Sequence, residues 1–467
     1  MPTPQQLLQQ HFGFEGFREG QEETIRRLLN GQHTLLVMPT GSGKSLTYQL
    51  PALLQPGLTL VISPLIALMQ DQVDSLTEAG IPATFISSSL PAAEANRRMR
   101  AILEGQVKLL YIAPERLRNR DFTRALAKSK ISLLAVDEAH CISHWGHDFR
   151  PDYLHIGPIW QAMGRPTLLA TTATATPAVQ KDIAKLLGLE NLQPIVTGFN
   201  RPNLTFRVLF TPDDRAKLQT LQAHLGKLEG SAIVYCATRR NTDEVADFVS
   251  SVMGLPAGAY HAGLDRDTRY RAQNDFMADR LKIIVATNAF GMGVDKPNVR
   301  VVIHYNMPAT TEAYYQEAGR AGRDGLPAEC VLCYSPDDMR LQEWLINSDT
   351  PTPDDLHQIY TRLAEAANGG EVYFNNNELA HITGLHPVKI RVTLSELEQA
   401  GLIFHLGDQS GYGQWKVLPL SNDALNQRAK AIERRSKIRL GLLDKMLDYI
   451  HLTTCRRQFL LSNLVEL

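Results

Sequence analysis

Apolar residues in roughly the first 345 positions fall in short unbroken runs, each followed by a turn and then by a stretch with helical spacing. Thr34–Met38, Thr59–Ile62, Leu109–Ile112, Leu133–Val136 and Thr167–Ala170 are such runs. A strand apolar on both faces must be covered on both faces, so the alternation predicts an α/β fold: a parallel sheet with helices on either side. The pattern restarts after Arg201-Pro202-Asn203, with Ala232–Cys236, Ile283–Ala286, Val299–His304 and Cys330–Tyr334. Two tandem parallel-sheet lobes are expected, 1–205 and 206–348. Pro202 and Thr211-Pro212-Asp213-Asp214 supply turn chemistry between them.

The pattern changes at Ser348-Asp349-Thr350-Pro351-Thr352-Pro353. Leu379–Ile382 and Val388–Leu402 read as two amphipathic helices joined by Gly384-Leu385-His386-Pro387. Ile403–Leu406 and Trp415–Leu418 flank a polar turn, as a hairpin does. Two helices and a β-wing predict a winged-helix-like α+β module at 349–420. Lys389 and Arg391 sit where a recognition helix would meet DNA, although Glu396 and Glu398 share that helix. A helical segment, 421–467, follows. It carries Arg428, Lys430, Arg434, Arg435, Lys437 and Arg439 with only Glu433 opposing them, a run that serves as a solvated face or touches phosphate.

Composition narrows the class. With 44% hydrophobic and 21% charged residues, the 467-residue chain has the balance of a globular protein. Its longest apolar stretch, Leu58 to Met69, is interrupted at Ser63-Pro64 and too short to span a bilayer. The N-terminus has no secretory pattern, so a cytoplasmic setting (bacterial cytosol or nucleoid) is expected. A net charge of −1 argues against a uniformly basic nucleic-acid binder and confines any such contact to local patches.

Three motifs carry chemistry. Met38-Pro39-Thr40-Gly41-Ser42-Gly43-Lys44-Ser45 follows a predicted strand and opens a helix. Glycines let backbone N–H groups turn inward around phosphates, Lys44 neutralises their oxygens, and the Ser45 hydroxyl is placed to ligate Mg²⁺. The full P-loop pattern has glycine where Met38 stands. Second, the strand ending at Val136 leads into Asp137-Glu138-Ala139-His140; Asp137 would hold Mg²⁺ and Glu138 would polarise the attacking water. Third, Gln316-Glu317-Ala318-Gly319-Arg320-Ala321-Gly322-Arg323 puts two arginines three apart, read as one helical face able to reach a γ-phosphate across the interlobe cleft.

With these residues in hand, the chain resembles the RecQ helicases of superfamily 2, over roughly 7–345 and again from about 430. The resemblance is most specific in Cys141-Ile142-Ser143-His144-Trp145-Gly146-His147-Asp148-Phe149-Arg150-Pro151, directly after the acidic motif. It implies RecA-like lobes, ATP and Mg²⁺ as cofactors, and an aromatic loop coupling single-stranded DNA to hydrolysis. His140, Trp145, His147, Phe149 and Arg150 carry that role; aromatics stack on bases and arginine adds phosphate contact. It also implies that Gln21 reads the adenine edge, Phe14 stacks on the base and Arg18 assists. Thr40, Gly41, Ser42, Gly43, Lys44, Ser45 and Gln316 complete the nucleotide contacts, and Lys44, Asp137, Glu138, Arg320 and Arg323 form the catalytic set. The implied activity is ATP-dependent DNA unwinding, 3′ to 5′, on single-stranded and forked DNA in repair and recombination.

The family's zinc module uses four cysteines, whereas here Thr454-Cys455-Arg456-Arg457 is followed by only ten residues. Cys330 and Cys333 would point to opposite faces of a strand. No zinc is expected in this chain, and 421–467 reads as the start of a truncated module. Two alternatives belong to other classes: a nucleic-acid-binding scaffold with a weak motor, and an RNA-remodelling ATPase, since Asp-Glu-Ala-His also occurs in RNA helicases.

Overall fold

A computed structural model describes residues 2–87, 90–143, 149–189, 192–291, 294–409 and 412–465. The chain divides into two compact units, one made of 1–335 with 448–467 and the other of 336–447.

The first unit holds two parallel sheets. The seven-stranded sheet runs, edge to edge, Ala83–Ile86, Leu109–Ile112, Leu58–Ile62, Ile131–Val136, Thr167–Thr172, Thr34–Val37 and Ile195–Val196. The six-stranded sheet runs Ala257–Tyr260, Ile283–Ala286, Ser231–Tyr235, Val299–His304, Ala328–Tyr334 and Leu204–Phe210. Every neighbouring pair is parallel, so this is the expected pair of RecA-like lobes. Central strands such as Thr34–Val37 and Ile283–Ala286 are buried at every position. Each fully buried Leu, Ile or Val there contributes about 1.5–3 kcal/mol. One core gathers Leu36, Val61, Leu109, Leu133 and Leu169; the other gathers Val234, Val285, Ile303 and Val331. Leu204–Phe210, which straddles the expected boundary between the lobes, is an edge strand of the second sheet.

This arrangement puts the C-terminal ends of Thr34–Val37 and Ile131–Val136 on one rim of the first sheet, where ligands of parallel sheets bind. The P-loop and the acidic pair both leave from that rim.

The second unit has helices Pro353–Ala366, Asn376–Thr383 and Pro387–Gln399 beside a three-stranded antiparallel sheet ordered Glu371–Phe374, Tyr412–Val417, Ile403–Gln409. Capping boxes at Thr352 and Asn375 start the first two helices. The helix Pro387–Gln399, which the sequence leaves open between a DNA-contacting element and a packing module, is a core element: Ile390, Thr393, Leu394, Ser395, Glu396 and Leu397 are all buried. Lys389 is spent on Asp355 at 3.0 Å. The basic run lies on the 30-residue helix Asn422–His451. Its Arg428 and Arg435 turn inward, each donating to one carboxylate oxygen of Glu396.

All five cysteines are free thiols; Cys455 alone is exposed. Cys330 donates to Ala318 O at 3.5 Å on one face of its strand, while Cys333 packs with Val234 and Leu221 on the other. Among the described residues no helix is long and apolar enough to cross a membrane, and no group of His, Cys, Asp and Glu could hold a metal by itself.

Candidate active site

The P-loop begins where the Thr34–Val37 strand ends. Met38 is 1% exposed in the first core, and its N–H donates to Thr172 O at 3.0 Å. The loop's first residue is thereby pinned to the neighbouring strand. Lys44 Nζ reaches back to Met38 O at 3.3 Å, and Ser42 Oγ donates to Pro39 O at 2.7 Å. Gly41 and Gly43 have φ of +77° and +84°, a region that L side chains avoid. A Cβ on Gly43 would lie 2.6 Å from Gln21 Nε2. Ser45 stands at the N-terminal boundary of the Leu46–Leu54 helix that follows, with no side-chain cap hydrogen bond.

Gln21 and Arg18, expected at the adenine, brace this loop. Gln21 Nε2 donates to Ser42 O and Gly43 O at 3.1 and 3.0 Å, and Oε1 accepts from the Arg18 N–H at 2.8 Å. Arg18 Nη1 donates to Gly41 O at 2.6 Å. Phe14 is 51% exposed.

The Ile131–Val136 strand delivers the acidic pair. Asp137 Oδ1 accepts from Thr171 Oγ1 at 2.9 Å and from the Glu138 N–H at 3.0 Å, while Tyr153 donates its hydroxyl to Asp137 O at 2.9 Å. Glu138 has a left-handed backbone, φ +48° and ψ 47°, which costs a non-glycine residue about 1–2 kcal/mol. Its buried Oε2 has no hydrogen-bond partner among the described residues, with His140 Nδ1 at 3.4 Å. His140 Nδ1 is 2.9 Å from Thr172 Oγ1, whose proton goes to Thr174 O at 3.0 Å. The acidic motif is linked in this way to Thr172-Ala173-Thr174.

Burial pushes the Lys44 ammonium down from its ordinary range, against the pull of Glu138 and Asp137. Burial, reinforced by Glu138, pushes the Asp137 carboxyl up to about 6. In both, burial in a site that water solvates poorly is the largest cause.

The arginines come from the second sheet's side of the cleft, though not as one helical face. The helix Thr311–Ala318 ends before them, and Gly322 at φ +56° turns the chain. Each arginine therefore goes its own way. Arg320 Nη1 donates to Gly291 O, where φ is +138° and a Cβ would lie 2.4 Å from the guanidinium carbon. Arg323 Nη1 donates to Val294 O at 2.6 Å and to Asp295 Oδ1 at 2.8 Å. Its methylenes cover Gly41, with Cδ 3.2 Å from where a Cβ would be. Thr40 Oγ1 donates across the cleft to Gly319 O at 3.4 Å. Burial, with Arg320 adding to it, lowers the pKa of Arg323. The Nε atoms of both arginines are buried without a partner among the described residues. Gln316 is buried in the helix before them.

Of the expected DNA loop, Trp145 and His147 lie outside the described residues. Arg150 Nη1 donates to Pro64 O at 3.0 Å and its N–H to Cys141 O at 2.9 Å. Phe149 is half-buried. Thr171 and Tyr153 were not singled out from sequence. Nothing in the sequence spacing marks Tyr153.

A P-loop and an acidic pair on one parallel sheet, faced by arginines from a second, define a two-lobed helicase-type ATPase fold. Residues 18–183 match the DEAD/DEAH box helicase family and residues 216–325 the helicase conserved C-terminal domain. The ATP-dependent DNA helicase RecQ of Bacillus subtilis is 48% identical over 345 residues, covering 73% of this chain and 58% of that protein. The probable ATP-dependent DNA helicase RecS of the same organism is 36% identical over 466 residues, covering 99% of this chain and 88% of that protein. The chain thus belongs to the RecQ family of ATP-dependent DNA helicases. It spans 53–58% of the length of three RecQ relatives. Among solved structures, the helicase MrfA bound to DNA (TM-score 0.61, 18% identity, 91% of this chain and 61% of that one) shares the fold. So does Mss116p bound to single-stranded RNA and AMP-PNP (TM-score 0.62, 16% identity, 78% and 83%).

Proposed function

We propose that this chain is a DNA-dependent ATPase and helicase motor. It would couple ATP hydrolysis to 3′-to-5′ movement along single-stranded DNA and to duplex separation, on forked substrates of repair and recombination. The observation that carries the reading is the convergence of Lys44, Asp137, Glu138, Arg320 and Arg323 on one cleft.

The cleft fits ATP and Mg²⁺ on its own chemistry. Two left-handed glycines free the P-loop N–H groups for an anion, and Glu138 Oε2 is buried and has no hydrogen-bond partner among the described residues. The raised Asp137 carboxyl is a group that a nearby cation would stabilise as carboxylate. Ser45 and Asp137 would hold Mg²⁺, which when bound neutralises phosphate charge. Lys44 and the two arginines would hold the phosphate oxygens from opposite lobes, and the two Nε–H groups, without a partner among the described residues, are donors available to them. Glu138 Oε2 would accept a hydrogen bond from the attacking water and orient it. Gln21 and Arg18 would fix the loop itself, with Phe14 stacking on the base. The chain from His140 through Thr172 to Thr174, and Arg150 on Pro64 O, would carry the state of the cleft to the DNA-facing loops.

DNA is favoured over RNA as the track because the relatives matching this chain in sequence are DNA helicases by name; the RNA-bound neighbours share only the fold. The test is steady-state ATP hydrolysis with Mg²⁺, with and without matched single-stranded DNA and RNA. DNA-stimulated turnover is expected. Stimulation by RNA alone would replace the reading with a remodelling ATPase, and no turnover with a binding scaffold.

A further inference from the structure

The short connection between the two sheets is built as a strap from the P-loop strand to the arginine loop. At one end, Ile195–Val196 pairs with Leu36–Val37, and the Thr197 N–H donates to Val37 O at 3.0 Å. Thr197 also packs its methyl on Gly20, where a Cβ would lie 2.4 Å away. These contacts tie the strap to the residue just before Met38.

Within a few residues the chain holds the other side of the cleft. Phe199 O accepts from the Tyr315 hydroxyl, and the two rings meet edge-on at 6.5 Å. Arg201 then takes three carbonyls of the arginine loop: Gly319 O from Nη1 at 3.2 Å, and Ala321 O and Gly322 O from Nη2 at 2.9 and 2.8 Å. Asn203 Nδ2 donates to Gly322 O at 2.8 Å and Leu326 O at 2.9 Å. A Cβ on Gly322 would lie 2.5 Å from that nitrogen. Arg457 braces the strap from behind, through Pro202 O at 3.2 Å and Leu204 O at 2.5 Å.

Gly319 O is where the two lobes meet, since it accepts from Arg201 and also from Thr40 of the P-loop. Gly322 O also accepts from the Gly325 N–H at 3.0 Å within the turn, but a buried turn carbonyl without a helix or sheet partner must be satisfied from outside. A guanidinium can take three at once; its burial, visible in a lowered pKa, strengthens those bonds.

We propose that Arg201, assisted by Asn203, is a positioning residue for hydrolysis: it sets the loop bearing Arg320 and Arg323 in register with the P-loop. This rests on the ATPase reading above. Arg201 touches no reacting atom in this scheme; it acts through the loop.

The test uses the full chain, with Arg201→Ala, Arg201→Lys and Asn203→Ala measured for ATP turnover and for hydrogen exchange of residues 318–326 without nucleotide. Displacing the loop by about an ångström should lower kcat by roughly 100-fold in Arg201→Ala. KM for ATP should change little and thermal stability should be retained. Arg201→Lys and Asn203→Ala should fall between that variant and the parent. Exchange should rise in 318–326 and stay unchanged in the Leu46–Leu54 helix. Unchanged loop exchange overturns the proposal, as does faster exchange at unaltered kcat; a global rise marks a folding role and also overturns it. If the parent chain hydrolyses no ATP, the ATPase reading fails, and the positioning proposal fails with it; the exchange result then reports separately whether Arg201 holds the loop.

Discussion

In the cleft, Glu138 and Arg320 are buried and Arg323 largely so, and each leaves one polar atom without a partner among the described residues. In the 336–447 unit, Glu396 is 1% exposed, yet Arg428 takes one of its oxygens and Arg435 the other. Arg428 also donates to Gln399 Oε1. Both regions remove charge from water at a cost of several kcal/mol per ion. One compensates that cost within the fold, and the other leaves part of it open. Saturated charge is an internal fastening, whereas open charge beside a P-loop suits groups arranged for something that arrives later.

The largest effects that would sharpen this contrast lie in the cleft. Lys44→Ala and Arg323→Ala should each cut ATP turnover by at least about 1,000-fold, the scale of losing a transition-state cation, while denaturant midpoints stay near the parent's. Turnover within tenfold of the parent in steady-state assays would show that the open groups serve no reaction. Next comes a paired stability measurement by urea unfolding. Glu396→Gln should cost about 3–5 kcal/mol, because two inward arginines lose their counter-charge. Glu138→Gln should cost almost nothing while abolishing turnover. Equal losses at the two positions would erase the distinction.

The smallest effect concerns a third, satisfied charge. Asp279 is held by Lys296 Nζ at 3.0 Å, and that bond brings its carboxyl down to about 2 from an ordinary 3.8. A lowered folded pKa means stability present above about pH 4 and lost as pH falls through about 2. Asp279 is 41% exposed, so screening keeps its share at about 1 kcal/mol or less. Asp279→Asn should therefore melt slightly earlier than the parent at pH 7 and together with it near pH 2, as differential scanning calorimetry would read.

What the sequence displayed well was anything written in a continuous apolar run. The strands at Leu109–Ile112 and Ile283–Ala286 are buried on both faces and show no polar position. Ala83–Ile86 and Ala257–Tyr260 went unread because sheet-edge strands need not be apolar throughout, and the second, Ala-Gly-Ala-Tyr, has almost no side chain to signal with. Lys44, Asp137, Glu138 and the arginines were legible because phosphate chemistry imposes their spacing. The work of Gln21 and Arg201 was not, because it is done on backbone carbonyls. Any turn presents such carbonyls, and no residue pattern announces which ones a side chain will find. Arg201-Pro202-Asn203 reads as a linker by composition and acts as a clasp by geometry.

The cysteines give the chain a built-in attachment point for a probe. Cys236 is buried and its thiol is raised well above the usual range, and burial lifts Cys330 to about 12; Cys141 and Cys333 are equally enclosed. Thiolate is the form that reacts with a maleimide, so a dye added to the folded protein at neutral pH has Cys455 as its accessible target. That residue sits between the helix ending at His451 and the one carrying Arg457. A fluorophore can thus be set beside the strap without changing a single amino acid.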